Sequence, residues 1–319
     1  MEIYGKSRLN TDTAASPERC WALFRFSDTT KRLSPNFGDP DSTLARLLEF
    51  ISKPALRLIH FEEFQKICCR IASDPRSEDF ISHKILDSLG IKLIHNREKL
   101  AQVPREGPLL VVANHPLALV DGFAIMSVMK THRRDVKALA ATGLGRIPQL
   151  RNQIIRVELG NSRRARRRNR QATAESIRWL KAGHALLTFP AGDISASRHL
   201  WKNVAVDSEW AKGLGLLVRR TEADVLPVFF HGQTSLLFQI SGSINRSLRK
   251  PLFFRELLLS RNMTIRFILG DVANHEVLTR IGNSQNVVDY LRTATYSLEN
   301  VPFETDKEKG TNEEEDTKR

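Results

Sequence analysis

The chain has 319 residues, and its 41% hydrophobic and 27% charged residues are typical of a globular protein with one large or two ordinary domains. The 49 Lys+Arg residues exceed the 36 Asp+Glu residues and give a net charge of +13, which favours a polyanionic partner, either nucleic acid or an anionic membrane surface. Cys20, Cys68 and Cys69 provide neither a disulfide framework nor a metal-ligand spacing, and the N-terminus lacks a secretory signal, so we expect a cytoplasmic protein.

The first hundred residues are predicted to be mainly helical. Residues 1–40 lack periodicity and are expected to form a loose leader. In the extension that follows, 41–100, a first helix is predicted to end before Pro54, and a third helix is predicted at 79–89. The apolar stripes of the first two helices can belong to the core or lie on a bilayer, and both interpretations stay open. The second helix places these residues on one stripe: Leu58, Phe61, Phe64, Ile67 and Ile71.

From residue 101 to residue 302, short β-rich runs alternate with helical patterns. This alternation predicts an α/β domain with a mixed, mostly parallel sheet flanked by helices. Strands are predicted at 109–113, 136–141, 154–157, 185–189, 225–231 and 263–269. Helices are predicted at 121–130, 172–181, 207–220 and 284–298. The remaining residues, 303–319, are charged and poor in apolar side chains, so we expect a disordered tail.

The segment from Gly107 to Met129 contains no Lys, Arg or Glu and is long enough to span a membrane. However, Asn114, His115 and Asp121 would be costly to place in hydrocarbon. We therefore predict a buried strand, a loop and a helix rather than a membrane span.

The first motif of interest is Asn114-His115-Pro116 followed by Asp121-Gly122. A histidine can take a proton from a substrate near neutral pH, and a nearby carboxylate can orient its ring. Six residues on one helix would put His115 and Asp121 on different faces, so the two side chains can meet only across a loop, which Pro116 favours. Asp121 is then predicted to cap the following helix. The alternative is a buried histidine and an ordinary capping aspartate, which the pair alone would favour.

Two further motifs follow predicted strands. Phe189-Pro190-Ala191-Gly192, with Ser195 three residues on, is typical of a turn that presents backbone N–H groups and a hydroxyl to a cleft. The third motif is Val225-Leu226-Pro227-Val228, which leads to His231. Each of them can also be a plain connection at the end of a strand, and His231 alone is best interpreted as a structural polar residue.

In this order, the three motifs resemble those of the lysophospholipid (glycerolipid) acyltransferase family over about residues 105–275. Within that family the chain looks most like a bacterial branch once labelled hemolysins, which includes O-acyltransferases of ornithine and glycine lipids. The resemblance implies a glycerolipid acyltransferase-like fold and transfer of a fatty acyl group from an acyl-carrier-protein or coenzyme A thioester to the hydroxyl of a lyso-lipid. It implies no bound cofactor or metal, because the thioester is a co-substrate.

The resemblance also implies roles for individual residues. His115 would deprotonate the acceptor hydroxyl, and Asp121 would orient the ring. Attack on the thioester would be direct, which agrees with the absence of a G-x-S-x-G nucleophile elbow from the sequence. Substrate-binding residues would be Asn114, Pro116, Gly122, Arg156, Phe189, Pro190, Gly192, Ser195 and Pro227.

The chain departs from the usual family pattern in three places. Five residues separate His115 from Asp121 where the family usually has four, a longer spacing that the bacterial branch shares. Ala191 stands where a glutamate is usual, which weakens a lysophosphatidate assignment and leaves room for another head group. The residues that flank Arg156 match the family poorly.

A basic run follows the third predicted strand. It can bind nucleic acid, dock on an anionic membrane, gather an acidic carrier protein or coenzyme A phosphates, or simply begin a solvated helix. No aromatic residue is interleaved for base stacking, so membrane or carrier docking is favoured over binding to nucleic acid. We therefore expect a peripheral location on the inner face of the cytoplasmic membrane. A basic nucleic-acid-binding or lipid-binding protein without catalysis remains the alternative. The run comprises Arg163, Arg164, Arg166, Arg167, Arg168 and Arg170.

Overall fold

The computed structural model describes residues 61–72, 77–146, 148–158, 160, 162–197, 205–244, 249 and 252–303. The predicted leader, the first predicted helix and the charged tail beyond Phe303 lie outside these ranges.

A seven-stranded mixed sheet is the centre of the described fold. Its order is β1-β9-β8-β2-β5-β3-β4, and an antiparallel two-stranded ribbon, β6-β7, lies outside it. All neighbouring pairs of the seven-stranded sheet are parallel except β8 and β9. The strands are β1 (Lys92–Ile94), β2 (Leu109–Ala113), β3 (Val136–Ala141), β4 (Ile154–Val157), β5 (Ala185–Thr188), β6 (Ala196–Ser197), β7 (Ala205–Val206), β8 (Asp224–Phe230) and β9 (Thr264–Leu269).

Helices cover both faces of this sheet, as the alternating sequence pattern predicts. They are α1 (Phe61–Ala72), α2 (Ser77–Ser88), α3 (Arg97–Gln102), α4 (Leu119–His132), α5 (Arg163–Lys181), α6 (Gly213–Thr221), α7 (Leu236–Ile244), α8 (Phe253–Leu259), α9 (His275–Arg280) and α10 (Ser284–Tyr296). Short 3₁₀ turns lie at Thr142–Arg146, Pro148–Leu150 and Ser297–Asn300. Within the described ranges, none of the helices combines the length and the apolar character needed to cross a bilayer.

Alternation along the central strand β2 divides the core into two layers. Leu109 and Val111 face a layer with α1, α2, α4 and α8, whereas Leu110 and Val112 face a layer with α5, α6 and α10. All five residues of β2 are buried, as expected for a strand covered on both faces. The described part of the second predicted helix belongs to the first layer, in which Phe64, Ile67 and Ile71 are buried.

The carboxyl ends of three neighbouring parallel strands meet at one edge of the sheet. β2 pairs in register with β5 on one side and with β8 on the other. The loops that leave β2 and β5 carry the first two sequence motifs, and the third motif lies in β8 and leads to His231 at its end. The topology therefore brings the ends of all three motifs toward one edge, where open α/β sheets commonly bind ligands.

The six predicted strands are present, but three details differ. β1 (Lys92–Ile94) pairs with β9, so the sheet begins within the segment expected to be a helical extension; three residues are too few to show a β pattern. α5 begins at Arg163, inside the basic run, because Ser162 caps it. α6 begins at Gly213 rather than at Asp207, since Asp207 is held by tertiary hydrogen bonds.

Candidate active site

The predicted pair of His115 and Asp121 is formed. His115 Nδ1 lies 2.9 Å from Asp121 Oδ1, and the carboxylate is fully buried. A non-helical loop separates the two residues, as their spacing requires. Asp121 is not the helix cap, however: α4 begins two residues earlier, after Ala118, whose φ of 58° turns the chain. From the first turn of α4, Asp121 Oδ2 accepts a hydrogen bond from the Leu117 N–H at 2.9 Å, so the carboxylate is held from two directions.

One face of the His115 imidazole is also packed against an aromatic ring. Its ring stacks on the Phe189 ring, with 3.9 Å between centroids and an interplanar angle of 15°. The His115 side chain is 19% exposed and lines a cavity. Because Nδ1 faces Asp121, Nε2 is the ring nitrogen that a substrate in this cavity can reach, as a general base requires.

Two effects on the pKa of His115 oppose each other. Burial lowers the pKa, because it disfavours the charged ring. The charge and hydrogen bond of Asp121 raise it, and Asp207 and Asp193 add to this increase. The carboxylates outweigh burial, so the pKa of His115 lies above its ordinary value. The imidazolium that forms after proton abstraction is therefore stabilised.

The Phe189–Ser195 segment forms the predicted turn. The Gly192 N–H donates to the Phe189 carbonyl at 3.0 Å, and Gly192 has a φ of 65°, which a residue with a side chain rarely adopts. The Ser195 N–H donates to the His115 carbonyl at 3.0 Å. The turn after β5 is thus tied to the loop after β2, and Phe189 is brought against the imidazole.

Ser195 has a different position from the one expected for a residue that lines the acceptor site. It is fully buried, and its hydroxyl donates to Asp207 Oδ1 at 2.5 Å. The His115 backbone N–H lies 3.3 Å from Ser195 Oγ and 3.2 Å from Asp207 Oδ1. Ser195 therefore holds the main chain of His115.

Asp207 is the functional residue that the sequence reasoning missed. It lies directly after β7, and its carboxylate also accepts a hydrogen bond from the Trp210 indole at 2.8 Å. Its backbone N–H donates to the Tyr296 hydroxyl at 2.8 Å. Burial raises the pKa of Asp207, and burial, with Asp207 nearby, raises the pKa of Tyr296 to about 12. The only local signal is a tryptophan three residues after an aspartate, which is not specific.

Replacing Asp207 with asparagine is expected to lower turnover roughly 10–100-fold, because the His115 backbone loses a charged acceptor and shifts. It should also move the acidic limb of the pH–rate profile to lower pH, since Asp207 raises the pKa of His115. The matched control is Glu209→Gln, which removes the same charge at an exposed neighbour. Equal pH–rate profiles for the two variants would contradict the positioning role.

The cavity beside His115 has a volume of about 630 Å³. Its lining residues come from both faces of the sheet and include His115 and Phe189, which follow the carboxyl ends of β2 and β5. We call the part on the α4 face the apolar lobe; it is lined mainly by Leu119, Phe123, Met126, Ala138, Ala140, Leu144 and Leu150. We call the part on the α5 face the polar lobe, because Glu158, Asn169, Thr173 and Ser176 line it, together with the apolar Ala172, Leu214 and Leu217.

The structure brings some of the predicted substrate-binding residues to this cavity and leaves others away from it. Gly122, Phe189, Pro190 and Gly192 line it together with His115. Asn114 does not: its buried amide donates to the Phe230 carbonyl at 2.9 Å and accepts from the Phe230 N–H at 2.7 Å, which joins the ends of β2 and β8. Three other predicted residues are also outside the lining: Pro116, which is buried, Arg156, which is exposed on the edge strand β4, and Pro227, which is buried within β8.

His231 lies apart from the candidate base. Its ring contacts Phe229 and Phe303, with centroid distances of 5.0 and 5.3 Å, and it does not line the cavity. Burial lowers its pKa. Among the described residues, no group of three or more His, Cys, Asp or Glu side chains is arranged to hold a metal ion.

The basic run forms the first two turns of α5. Ser162 Oγ accepts from the Ala165 N–H at 3.0 Å, and Ala165 is buried. Arg168 forms an ion pair with Glu158 at 3.2 Å. The other five arginines are exposed: Arg163, Arg164, Arg166, Arg167 and Arg170. Because Glu158, Gly160 and Asn169 line the polar lobe, the arginines lie next to that end of the cavity.

A family model described as Acyltransferase matches residues 93–231. A comparison with curated proteins finds no significant match. Among solved structures, the chain is similar to the 1-acyl-sn-glycerophosphate (LPA) acyltransferase PlsC from Thermotoga maritima, with 16% identity, a TM-score of 0.44, and coverage of 80% of this chain and 94% of that one. The residues that match the Acyltransferase family model, 93–231, include the His115–Asp121 pair and the Phe189–Ser195 turn.

Proposed function

We propose that this protein is an acyltransferase that moves a fatty acyl group from an acyl-carrier-protein or coenzyme A thioester to the hydroxyl of a lyso-lipid. The observation that carries the proposal is the position of the His115–Asp121 pair, whose imidazole lines one cavity together with the residues of the apolar lobe and of the polar lobe. The apolar lobe suits a fatty chain, and the polar lobe suits the hydrophilic part of a substrate.

In the proposed reaction, His115 Nε2 takes the proton of the acceptor hydroxyl while its oxygen forms a bond to the thioester carbonyl carbon. The tetrahedral intermediate collapses with cleavage of the carbon–sulfur bond, and the imidazolium returns the proton to the leaving thiolate. Asp121 stabilises the imidazolium between these steps. The absence of an acyl-enzyme is supported by Ser195, whose buried hydroxyl is engaged by Asp207 and is not free to act as a nucleophile.

We assign the donor acyl chain to the apolar lobe and the polar end of the thioester to the polar lobe. Leu119, Phe123 and Met126 give the apolar lobe a wall without charged groups. The polar lobe opens beside the arginines of α5, whose positive charge is complementary to coenzyme A phosphates, to an acidic carrier protein and to an anionic membrane surface. This arrangement supports a peripheral enzyme on the inner face of the cytoplasmic membrane.

Filling the apolar lobe is expected to change acyl-chain selectivity. Ala140 lines this lobe and is partly exposed, so Ala140→Phe adds a ring without displacing a packed side chain. We expect kcat/KM for the longest accepted thioester to fall about tenfold or more, while the value for a short thioester changes little. The matched control is Thr173→Phe, which adds the same ring to the polar lobe. An equal loss for long and short chains in Ala140→Phe would contradict the assignment.

The acceptor class is part of the proposal. Ala191 replaces the glutamate of the usual family motif, so a lyso-aminolipid of the ornithine- or glycine-lipid type, as in the hemolysin-labelled bacterial branch, is favoured over lysophosphatidate. The test is acyl transfer from radiolabelled carrier-protein and coenzyme A thioesters to a panel of lyso-aminolipids and lysophospholipids. Transfer to a lyso-lipid hydroxyl is expected; hydrolysis alone, or no turnover with either donor, would contradict the proposed function.

A further inference from the structure

Helix α7 has an exposed apolar face. Leu236 is 57% exposed, Leu237 is 50% exposed and Ile240 is 36% exposed. At about 100° per residue, positions i, i+4 and i+1 of a helix fall within an arc of about 100°, so these three side chains form one surface. The helix, Leu236–Ile244, contains no charged residue. We call this surface the α7 patch.

The opposite side of α7 is fixed to the candidate active site. Gln239 is buried; its Nε2 donates to the Ser195 carbonyl at 3.3 Å, and its Oε1 accepts from the Ser197 N–H at 3.1 Å. Ser195 in turn holds the His115 main chain. The α7 patch is therefore connected to the proposed base through a short chain of hydrogen bonds.

The inner side of α7 is also separated from the cavity by a single layer of side chains. Phe238 is fully buried and forms a T-shaped contact with Phe253 at 5.5 Å. Ala118 and Ile194 pack against Phe238 in the same cluster. Because Phe253, Ala118 and Ile194 line the cavity, the α7 patch lies on the outer surface directly behind the cavity wall.

The charge of the chain suits an anionic surface. From Val225 to Arg255 the sequence contains four Lys and Arg residues and no Asp or Glu, but Arg249 is buried beside Asp193 and Arg255 pairs with Glu256. The charge complementarity therefore depends on the whole chain, which carries a net charge of +13. An exposed apolar helix face on a strongly basic chain is complementary to an anionic bilayer, which offers negative head groups above hydrocarbon. The four basic residues are Arg246, Arg249, Lys250 and Arg255.

We propose that the α7 patch inserts into the surface of an anionic lipid bilayer and places the cavity beside the membrane. The role of this membrane as the source of a lyso-lipid acceptor rests on the proposed function. Docking of the α7 patch on the membrane can be tested without turnover. The helix lies in the bilayer surface with Leu236, Leu237 and Ile240 in the acyl boundary, so an acceptor can reach His115 with little exposure of its chain to water.

The test uses the full chain and vesicles of phosphatidylcholine with phosphatidylglycerol. The variant is Leu236→Gln combined with Leu237→Gln, and the matched control is Val277→Gln. Val277 is 53% exposed on α9, whose first residue is held at the amino end of β8 by a hydrogen bond from the His275 N–H to Asp224, at the edge of the sheet opposite the candidate site. The double variant is expected to bind the vesicles about tenfold or more weakly than the parent chain, and the control should bind like the parent.

Activity with two forms of acceptor separates docking from damage to the fold. With an acceptor in vesicles, the double variant should lose about tenfold in kcat/KM; with a short-chain acceptor dissolved in water, it should match the parent. Equal vesicle binding by the parent and the double variant would overturn the proposal. An equal loss of kcat/KM with the dissolved acceptor would also overturn it. The same holds if the parent forms a dimer that the double variant abolishes while vesicle binding stays unchanged.

Failure of the proposed function would give a different result. His115→Ala is expected to bind vesicles like the parent, because His115 is not part of the α7 patch. If the parent transfers no acyl group to any acceptor but its vesicle binding depends on Leu236 and Leu237, membrane docking by the α7 patch is supported and the proposed function is wrong. If acyl transfer occurs and vesicle binding is independent of both leucines, the proposed function is supported and membrane docking by the α7 patch is wrong.

Discussion

Replacing His115 with alanine is expected to lower turnover roughly 10²–10⁴-fold, the usual contribution of a positioned general base. The substitution removes the imidazole but keeps the backbone groups that bind Ser195 and Asp207. The loop after β2 should therefore keep its position. Turnover is measured with a radiolabelled thioester and a lyso-lipid, and folding is checked by thermal unfolding.

The matched control for this prediction is His231→Ala. His231 follows a neighbouring strand at the same edge of the sheet, but it packs between Phe229 and Phe303 and does not line the cavity. We expect this variant to keep most of its turnover. A folded His115→Ala variant that retains the full rate would show that the proposed base is wrong.

Replacing Asp121 with asparagine is expected to lower turnover about 10²–10³-fold. Asp121 Oδ1 accepts the N–H of His115 Nδ1, which leaves Nε2 unprotonated and able to act as a base. An asparagine amide can donate to Nδ1 instead, which favours the tautomer with the proton on Nε2. It also removes the negative charge that stabilises the imidazolium.

The same substitution should change the pH dependence in a defined direction. A base must be neutral to accept a proton, so the rate of the parent enzyme rises with pH through the raised pKa of His115. Without the Asp121 charge this pKa falls, and the acidic limb of kcat/KM moves to lower pH while the plateau is lower. Asp289→Asn, on the exposed side of α10, is the control for loss of one carboxylate. An unchanged acidic limb in Asp121→Asn would contradict the role of this residue.

Local sequence was sufficient for the strands and for the candidate base. The continuous apolar run Leu109–Ala113 is buried on both faces, so its composition indicates its central position in the sheet. The meeting of His115 and Asp121 also follows from local chemistry, because Pro116 disfavours a helix and six helical residues would separate the side chains. Here the interacting atoms are close in the chain, and few conformations satisfy the spacing.

The other features of the site depend on contacts between distant segments. Asp207 is 92 residues from His115, and no periodicity indicates that its carboxylate reaches the His115 backbone. Ser195 was expected at the acceptor because its motif marks a turn, but a turn does not specify whether the hydroxyl faces a cavity or a buried carboxylate. Asn114 is likewise a residue type that often binds ligands. Only the pairing of β2 with β8 shows that its amide is hydrogen-bonded to the Phe230 backbone.

The sequence by itself therefore determined the α/β class, the positions of six of the nine described strands, the His115–Asp121 pair and the basic run. These depend on hydrophobic burial and backbone sterics, which act between neighbours in the chain. Only the tertiary structure decided that Asp207 holds the candidate base, that the cavity has an apolar and a polar lobe, and that the α7 patch lies behind its wall. These features depend on which segments the sheet order brings together, and that order is set by long-range packing rather than by any local pattern.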